Sequence, residues 1–281
     1  MRYGLGLQII AGLFYWNSRE PQRSAILSGM KKAVLVANWK NHPDSLSKVE
    51  DLINGLKKKS EVYKKLATFI APPLAYFESV SKKTKTFASL ASQDISVGKK
   101  TTTGAVEADI LQSFGVKLSI IGHSERRALG ETNEDVGEKI RVALKSGITP
   151  LVCIGEIERD REGEFLEFIR HEIRLSLAGV KKKDEAKKIM IAYEPIWAIG
   201  RSVKDAVVPE DLVQMVIFIR KVLTDLYGRE TADKIPLLYG GSVEKRNAEE
   251  LVHTGINGFL VGRASLSAEN FGGIASVLLN K

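Results

Sequence analysis

Three residues that could do chemistry together, Glu194, His123 and Lys40, each stand just after a short apolar run. A carboxylate can remove a proton from a carbon next to a carbonyl, while a histidine and a lysine stabilise the charge that develops on oxygen. This combination indicates an enolisation, which needs no cofactor. Taken singly, each residue also fits a structural role, because a lone histidine, or a lysine beyond a strand, is most often a surface residue.

The elements that must position these residues are eight short apolar runs with helix-like segments between them. Several runs are near-continuous, which is typical of parallel strands covered on both faces. Alternation of strand and helix predicts a single-domain α/β protein with a closed (β/α)₈ barrel. A doubly wound open sheet is the alternative, although no GxGxxG follows the first strand. The runs are 33–38, 67–72, 87–92, 118–122, 149–155, 188–193, 235–240 and 257–262.

In such a barrel the active site lies where the strands end, so polar residues directly after each run are the candidates. Glu194 therefore ends its strand because it faces a shared pocket. The positions selected by this rule are Asn38, Lys40, His123, Glu156, Glu194, 240–242 and 262–263.

The turns after the last two strands are suited to phosphate. "YGGSVEKRNAEEL" predicts a helix that begins at Gly-Gly-Ser, where backbone N–H groups can approach an anion. "VGRASLSAE" repeats the arrangement one unit later. A small phosphorylated substrate is implied, although Ser242 and Ser265 could equally be simple helix caps.

A phosphorylated enediolate eliminates phosphate readily in water, so the site should need a lid. The segment 195–209, "PIWAIGRSVKDAVVP", lies between the sixth strand and its helix and has the length for one. Pro195 holds Glu194 extended and delays the helix.

Other chemistries find little support in the sequence. The four histidines are not spaced as metal ligands, Glu194 has no clear carboxylate partner, and no GxSxG motif is present. We therefore predict no metal and no cofactor.

Cys153, the one cysteine, lies inside an apolar run, which fits a reducing, cytoplasmic location. Lysine runs at 57–59 and 181–183 contain no aromatic residues, so we expect no nucleic-acid partner. The apolar run near the N-terminus is too short to span a bilayer, so we also expect no membrane partner.

The first 29 residues differ from the remainder. Leu5–Trp16 is apolar but too short to span a bilayer, and no clear cleavage site follows it. We predict that residues 1–29 are a disordered extension or follow from a misassigned start, and that residues 30–281 form the catalytic barrel.

Six motifs in this order and spacing resemble the triosephosphate isomerase family over residues 31–281: "ANWK", "IIGHSERR", "CIGE", "YEPIWAIG", "LYGGSV" and "VGRASL". The resemblance implies a TIM barrel, a homodimer and a cytoplasmic isomerase. It further implies interconversion of dihydroxyacetone phosphate and D-glyceraldehyde 3-phosphate in glycolysis and gluconeogenesis.

The resemblance also implies a role for each matching residue. Glu194 is the base and His123 the electrophile, while Asn38 and Lys40 contact the substrate. The family is itself the standard example of a neutral histidine electrophile at a helix N-terminus. Glu125 is the partner of Lys40, and phosphate contacts, largely through backbone N–H groups, fall to Gly200, Ser242, Gly262 and Arg263.

Several positions depart from the family pattern. "RSVKDAVVPED" replaces the usual hinge after "WAIG", Arg263 replaces a common glycine, and Ala105 stands where a glutamate is frequent in the loop between subunits. Two alternatives stay open: a different phosphorylated substrate, or a catalytically weak paralogue that only binds.

Overall fold

A computed structural model describes residues 32–98, 103–199 and 207–281. The predictions for residues 1–29 and for Gly200 lie outside these ranges. Eight parallel strands close into a barrel in which each strand pairs with its sequence neighbours and β8 pairs with β1. The strands are β1 Val34–Asn38, β2 Ala67–Ala71, β3 Ser89–Ser92, β4 Leu118–Ile121, β5 Thr149–Ile154, β6 Met190–Tyr193, β7 Leu237–Tyr239 and β8 Gly258–Val261. The predicted (β/α)₈ barrel is confirmed, and each strand end lies within two residues of its predicted position.

Helices follow the strands around the outside. They are α1 Leu46–Lys57, α2 Ser60–Lys64, α3 Phe77–Thr84, α4 Ala108–Ser113, α5 Ser124–Ala128, α6 Asn133–Lys145, α7 Glu164–Ser176, α8 Lys183–Ala186, α9 Pro209–Tyr227, α10 Arg229–Ala232, α11 Lys245–Leu251 and α12 Ala268–Leu279. No helix in the described ranges is both long enough and apolar enough to cross a membrane.

The strands are apolar on both faces because each face packs into a different core. Side chains such as Val36, Ile120, Leu151 and Leu260 fill the inside of the barrel. Alternate residues of the same strands point outward and pack against the helices. This double burial explains why the sequence shows continuous apolar runs and no alternation.

Helix α9 shows how local signals set the element bounds. Pro209 occupies the first helical position, Glu210 and Asp211 fill the first turn, and Gly228 ends the helix at φ 78°. The 3.6-residue periodicity of 209–226 predicts that one side of this helix is lined by Leu212, Met215, Val216, Ile219, Leu223 and Leu226. The first five are buried, whereas Leu226 is 37% exposed, so that part of the prediction is wrong. Tyr227 is buried in its place.

Candidate active site

Glu194 lies directly after β6 and its side chain is only 2% exposed. Its backbone N–H donates to the Ile154 carbonyl, and its carboxylate accepts the Ser124 N–H at 3.4 Å. Two glycines make room for it. A Cβ on Gly155 would lie 1.8 Å from the Glu194 carbonyl oxygen, and a Cβ on Gly240 would lie 2.7 Å from Glu194 Cγ. The carboxylate is thus buried at the strand end where the sequence predicted it.

His123 follows β4 as the N-cap residue of α5. Its Nδ1 accepts a hydrogen bond from the Glu125 backbone N–H at 3.2 Å. An acceptor nitrogen carries no proton, so this contact assigns the neutral ring with its proton on Nε2. Nε2 lies 3.5 Å from Glu194 Oε1. The fold therefore brings an N–H donor and a carboxylate together from strands β4 and β6.

The backbone of Lys40 has φ 50°, in the left-handed region that residues other than glycine rarely adopt. Asn38 Oδ1 accepts the Lys40 N–H at 3.1 Å, and Gln93 Nε2 donates to the Lys40 carbonyl at 2.7 Å. Lys40 Nζ lies 2.5 Å from Glu125 Oε1, so the structure places Glu125 beside the lysine as the resemblance implied. Strain held in this way by surrounding hydrogen bonds is typical of functional sites.

Sequence reasoning missed Gln93. The residue directly follows β3 and also donates to the Ala71 carbonyl at 3.0 Å, joining the ends of β2 and β3. The strand-end rule applied to "FASLAS" would have selected it.

The two phosphate turns differ in detail from the sequence prediction. Helix α11 begins at Lys245 with Glu244 as its N-cap, so the prediction that it begins at Gly-Gly-Ser is wrong by three residues. Glu244, not Ser242, is the N-cap residue, and the Ser242 hydroxyl donates to the Ala198 carbonyl at 2.9 Å. Val243 and Glu244 therefore separate the glycine turn from the first residue of the helix. Gly240 lies against the Glu194 side chain, since a Cβ added there would be 2.7 Å from Glu194 Cγ.

The turn after β8 lies beside Lys40. A Cβ added to Gly262 would be 3.9 Å from Lys40 Cε, so the lysine side chain and this turn are neighbours. Buried Ser265 donates to the Gly262 carbonyl at 2.6 Å and holds the turn, while Arg263 is exposed. The Lys40 side chain thus lies near both the candidate phosphate turn and Glu125, which follows His123 by two residues.

Glu156, another strand-end candidate, hydrogen-bonds to residues on both sides of Glu194 in the sequence. Its Oε1 accepts from Tyr193 OH at 2.8 Å, Trp197 Nε1 at 2.9 Å and Arg159 Nε at 3.1 Å. Tyr193 and Trp197 flank Glu194 in sequence, so Glu156 holds the segment that carries the base. The guanidinium of Arg159 also pairs with Asp211 at 2.9 Å, which ties the start of α9 to the same cluster.

Cys153 points into the barrel next to Glu194. Burial, reinforced by the Glu194 carboxylate, keeps the pKa of the thiol well above its usual range. A buried, protonated thiol is a poor nucleophile, which agrees with the sequence reasoning that set this residue aside. No group of histidine, cysteine and acidic side chains in the described part of the chain could hold a metal ion.

Substituting Gly240 by alanine tests the crowding around the base. The new Cβ would meet Glu194 Cγ at 2.7 Å, so the carboxylate must shift. Because a displacement of about 1 Å can lower catalysis about 10²-fold, we expect a loss of that order in kcat. Gly179→Ala is the control, since its Cβ meets only the flexible Arg141 side chain. Steady-state rates that are equal for the two variants would contradict this prediction.

A buried ion pair lies under the turns that carry the site. Arg127 Nε is 3.2 Å from Glu172 Oε1 and also donates to the Gly122 carbonyl, while Glu172 Oε2 accepts the Gly155 N–H at 2.9 Å. Gly122 precedes His123, and Gly155 abuts Glu194. Burial raises the pKa of Glu172 to about 7, against the opposite effect of Arg127.

This pKa predicts a pH-dependent stability. A carboxyl whose pKa is raised on folding stabilises the fold below its unfolded pKa, and this contribution is lost as pH rises through about 7. Relative to Glu172→Gln, we expect the free energy of unfolding of the natural chain to fall by up to about 3 kcal/mol between about pH 5 and about pH 8. Urea unfolding at both pH values measures it. Glu167→Gln, at an exposed position of the same helix, should leave the pH dependence unchanged.

Comparison with known proteins agrees with this geometry. The sequence profile of the triosephosphate isomerase family matches residues 33–278. A triosephosphate isomerase of Carboxydothermus hydrogenoformans is 38% identical over 250 residues, 86% of this chain and 97% of that protein. That of Natranaerobius thermophilus is 36% identical over 247 residues, 86% of this chain and 94% of the relative. The triosephosphate isomerase of a Roseiflexus species is 37% identical over 250 residues, which is 86% of this chain and 96% of the relative. With the barrel, its motifs and the match over residues 33–278 in agreement, the chain belongs to the triosephosphate isomerase family.

Proposed function

We propose that this enzyme interconverts dihydroxyacetone phosphate and D-glyceraldehyde 3-phosphate, a step of glycolysis and gluconeogenesis. The observation that carries the proposal is the 3.5 Å contact between His123 Nε2 and the Glu194 carboxylate at the C-terminal end of the barrel. A base and an N–H donor this close can act on adjacent carbon and oxygen atoms of one small substrate.

The proposed reaction moves one proton between two carbons. Glu194 removes a proton from the carbon next to the carbonyl, and the carbonyl oxygen gains the negative charge. The Nε2–H of His123 and the ammonium of Lys40 stabilise that oxygen in the enediolate. The proton of the neighbouring hydroxyl moves to this oxygen, and Glu194 returns its proton to the carbon that bore the carbonyl, so the neighbouring carbon becomes the new carbonyl with no net redox change.

The phosphate group is proposed to bind at the glycine turns after β7 and β8. Ser242 and Gly262 would contribute backbone N–H groups, with Gly200 from the segment before α9 and Arg263 at the rim. Asn38 would act next to Lys40, whose backbone N–H it already accepts at 3.1 Å. The lid at 195–209 stays a prediction, since residues 200–206 lie outside the described ranges.

We also propose that residues 30–281 are the catalytic domain, that the enzyme is a cytoplasmic homodimer and that residues 1–29 are dispensable for turnover. Family membership supports these points. Full activity of a chain that begins at Met30, with a dimeric mass in solution, is the expected result. An inactive product would contradict the proposal that residues 1–29 are dispensable, and a monomeric product would contradict the proposal of a homodimer.

The decisive assay converts D-glyceraldehyde 3-phosphate with the full chain and follows the ketone product through its enzymatic reduction. We expect rapid turnover, with unphosphorylated glyceraldehyde a far poorer substrate because it lacks the group that the turns bind. A folded protein that isomerises a different phosphorylated aldose faster would show that the departures near the lid and at Arg263 have changed its specificity. A folded protein with no turnover would leave only a binding role.

A further inference from the structure

The end of the barrel opposite the candidate active site carries a series of exposed lysines. Parallel strands all begin at this end, and the segments that lead from each helix to the next strand lie here. We define the basic face by seven exposed lysines in these segments: Lys58, Lys65, Lys85, Lys117, Lys145, Lys181 and Lys188.

The barrel topology gathers these lysines from distant parts of the sequence. Lys58 and Lys65 precede β2, Lys85 precedes β3, and Lys117 precedes β4. Lys145 precedes β5, and Lys181 and Lys188 precede β6. Because β2 to β6 are consecutive neighbours in the closed barrel, the lysines form one continuous arc.

The acidic residues near this arc neutralise it only in part. Glu61, Asp184 and Glu185 form their salt bridges with other lysines, namely Lys64, Lys187 and Lys182, and the Asp184 carboxylate also attracts Lys188 at longer range. Within the described ranges, none of the seven lysines of the basic face forms an ion pair. The arc is also bounded, since exposed Glu249 and Glu250 lie near the end of α11, below β8.

Fold stability does not account for the whole arc. Lys58, Lys65, Lys85 and Lys145 stand at helix C-termini, where a cation complements the helix dipole. Lys117, Lys181 and Lys188 lie outside helices and gain nothing from this effect. Like charges that are held together without partners repel one another, and an external anionic surface relieves that repulsion.

We propose that the basic face binds the surface of an anionic lipid membrane. Lysine is a flexible, strongly hydrated point charge that suits diffuse attraction to lipid headgroups, and each lysine near such a surface adds affinity. Single-stranded nucleic acid is disfavoured because bases stack on exposed aromatic rings. Among large exposed apolar side chains in the described ranges, the one aromatic is Phe168, which lies within α7 away from the arc.

The point where the chain enters the barrel extends the basic face. The polypeptide reaches β1 from the basic face, with exposed Lys32 just before the strand. Lys32 therefore adds a cation beside the arc. The sequence argued against a membrane partner because the apolar run Leu5–Trp16 is too short to span a bilayer, whereas attachment to the surface through lysines requires no span.

This orientation leaves the candidate active site facing solution, so the binding is independent of the proposed isomerase activity. The test uses the full chain and sedimentation with vesicles of phosphatidylcholine alone or mixed with an equal amount of phosphatidylserine. We expect binding to the mixed vesicles, little binding to phosphatidylcholine, and loss of binding as salt is raised.

Charge reversal identifies the surface involved. We expect Lys117→Glu, Lys181→Glu and Lys188→Glu together to weaken binding to the mixed vesicles by about tenfold or more. The control reverses three exposed cations elsewhere, Lys48, Arg161 and Lys221, and should weaken binding much less. Circular dichroism checks folding, and the corresponding glutamine variants replace any set that fails to fold.

Three results would overturn the proposal. The first is equal binding of the natural chain to both kinds of vesicle, and the second is an equal loss in the two charge-reversal sets. The third is tighter binding to duplex DNA than to phosphatidylserine vesicles at the same salt, which would assign the face to nucleic acid.

Discussion

Replacing Glu194 by glutamine is expected to lower kcat for triose phosphate isomerisation by about 10³-fold with little change in KM. An amide cannot remove a proton from carbon, whereas it matches the carboxylate in size and fits the space left by Gly240. Since phosphate binding is assigned to other turns, the substrate should still bind. The measurement is steady-state kinetics in both directions, together with exchange of the substrate carbon-bound proton with solvent.

Two further variants make this result specific. Glu194→Asp keeps the carboxylate but withdraws it by about 1 Å, so a loss of about 10²-fold is expected. Glu158→Gln removes an exposed carboxylate from the loop after β5 and should have no effect. If Glu194→Gln kept a rate close to that of the natural enzyme, the base would have to be another residue.

Replacing Lys40 by alanine is expected to lower kcat/KM by about 10²–10³-fold because the oxyanion loses a charged donor. Stability should hardly change. The Lys40–Glu125 pair is 33% and 59% exposed at its two side chains, and a pair of this kind contributes at most about 1 kcal/mol. Thermal unfolding and steady-state kinetics on the same samples separate the two effects.

Replacing Lys40 by glycine tests whether the backbone at this position is strained and whether the lysine side chain justifies that strain. Lys40 has φ 50°, which glycine adopts freely and alanine does not. Lys40→Gly should therefore be as inactive as Lys40→Ala but more stable by about 1 kcal/mol. Equal stabilities of the two variants would contradict the presence of strain, and retained activity in both would contradict the catalytic role.

The local rules of strand and turn predicted the barrel closely, because continuous apolar runs are required where both faces of a strand are buried. They predicted Glu194 and His123 as strand-end residues for the same reason. The same rules placed the start of α11 three residues early, since the capping box at Glu244 competes with the glycine turn for the helix start. Leu226 was misassigned because the last turn of α9 buries Tyr227 instead.

By itself the sequence determined the order of strands and helices, the family and the residue types at the end of each strand. Only the tertiary structure decided how those residues meet. The neutral tautomer of His123 depends on a backbone N–H of α5, and the strained Lys40 depends on Gln93 from another strand end. The basic face likewise exists only after closure, because parallel strands bring the start of every unit to one end of the barrel. Motifs and apolar runs are local in the chain, whereas distances, hydrogen-bond partners and charged surfaces join residues that lie far apart in it.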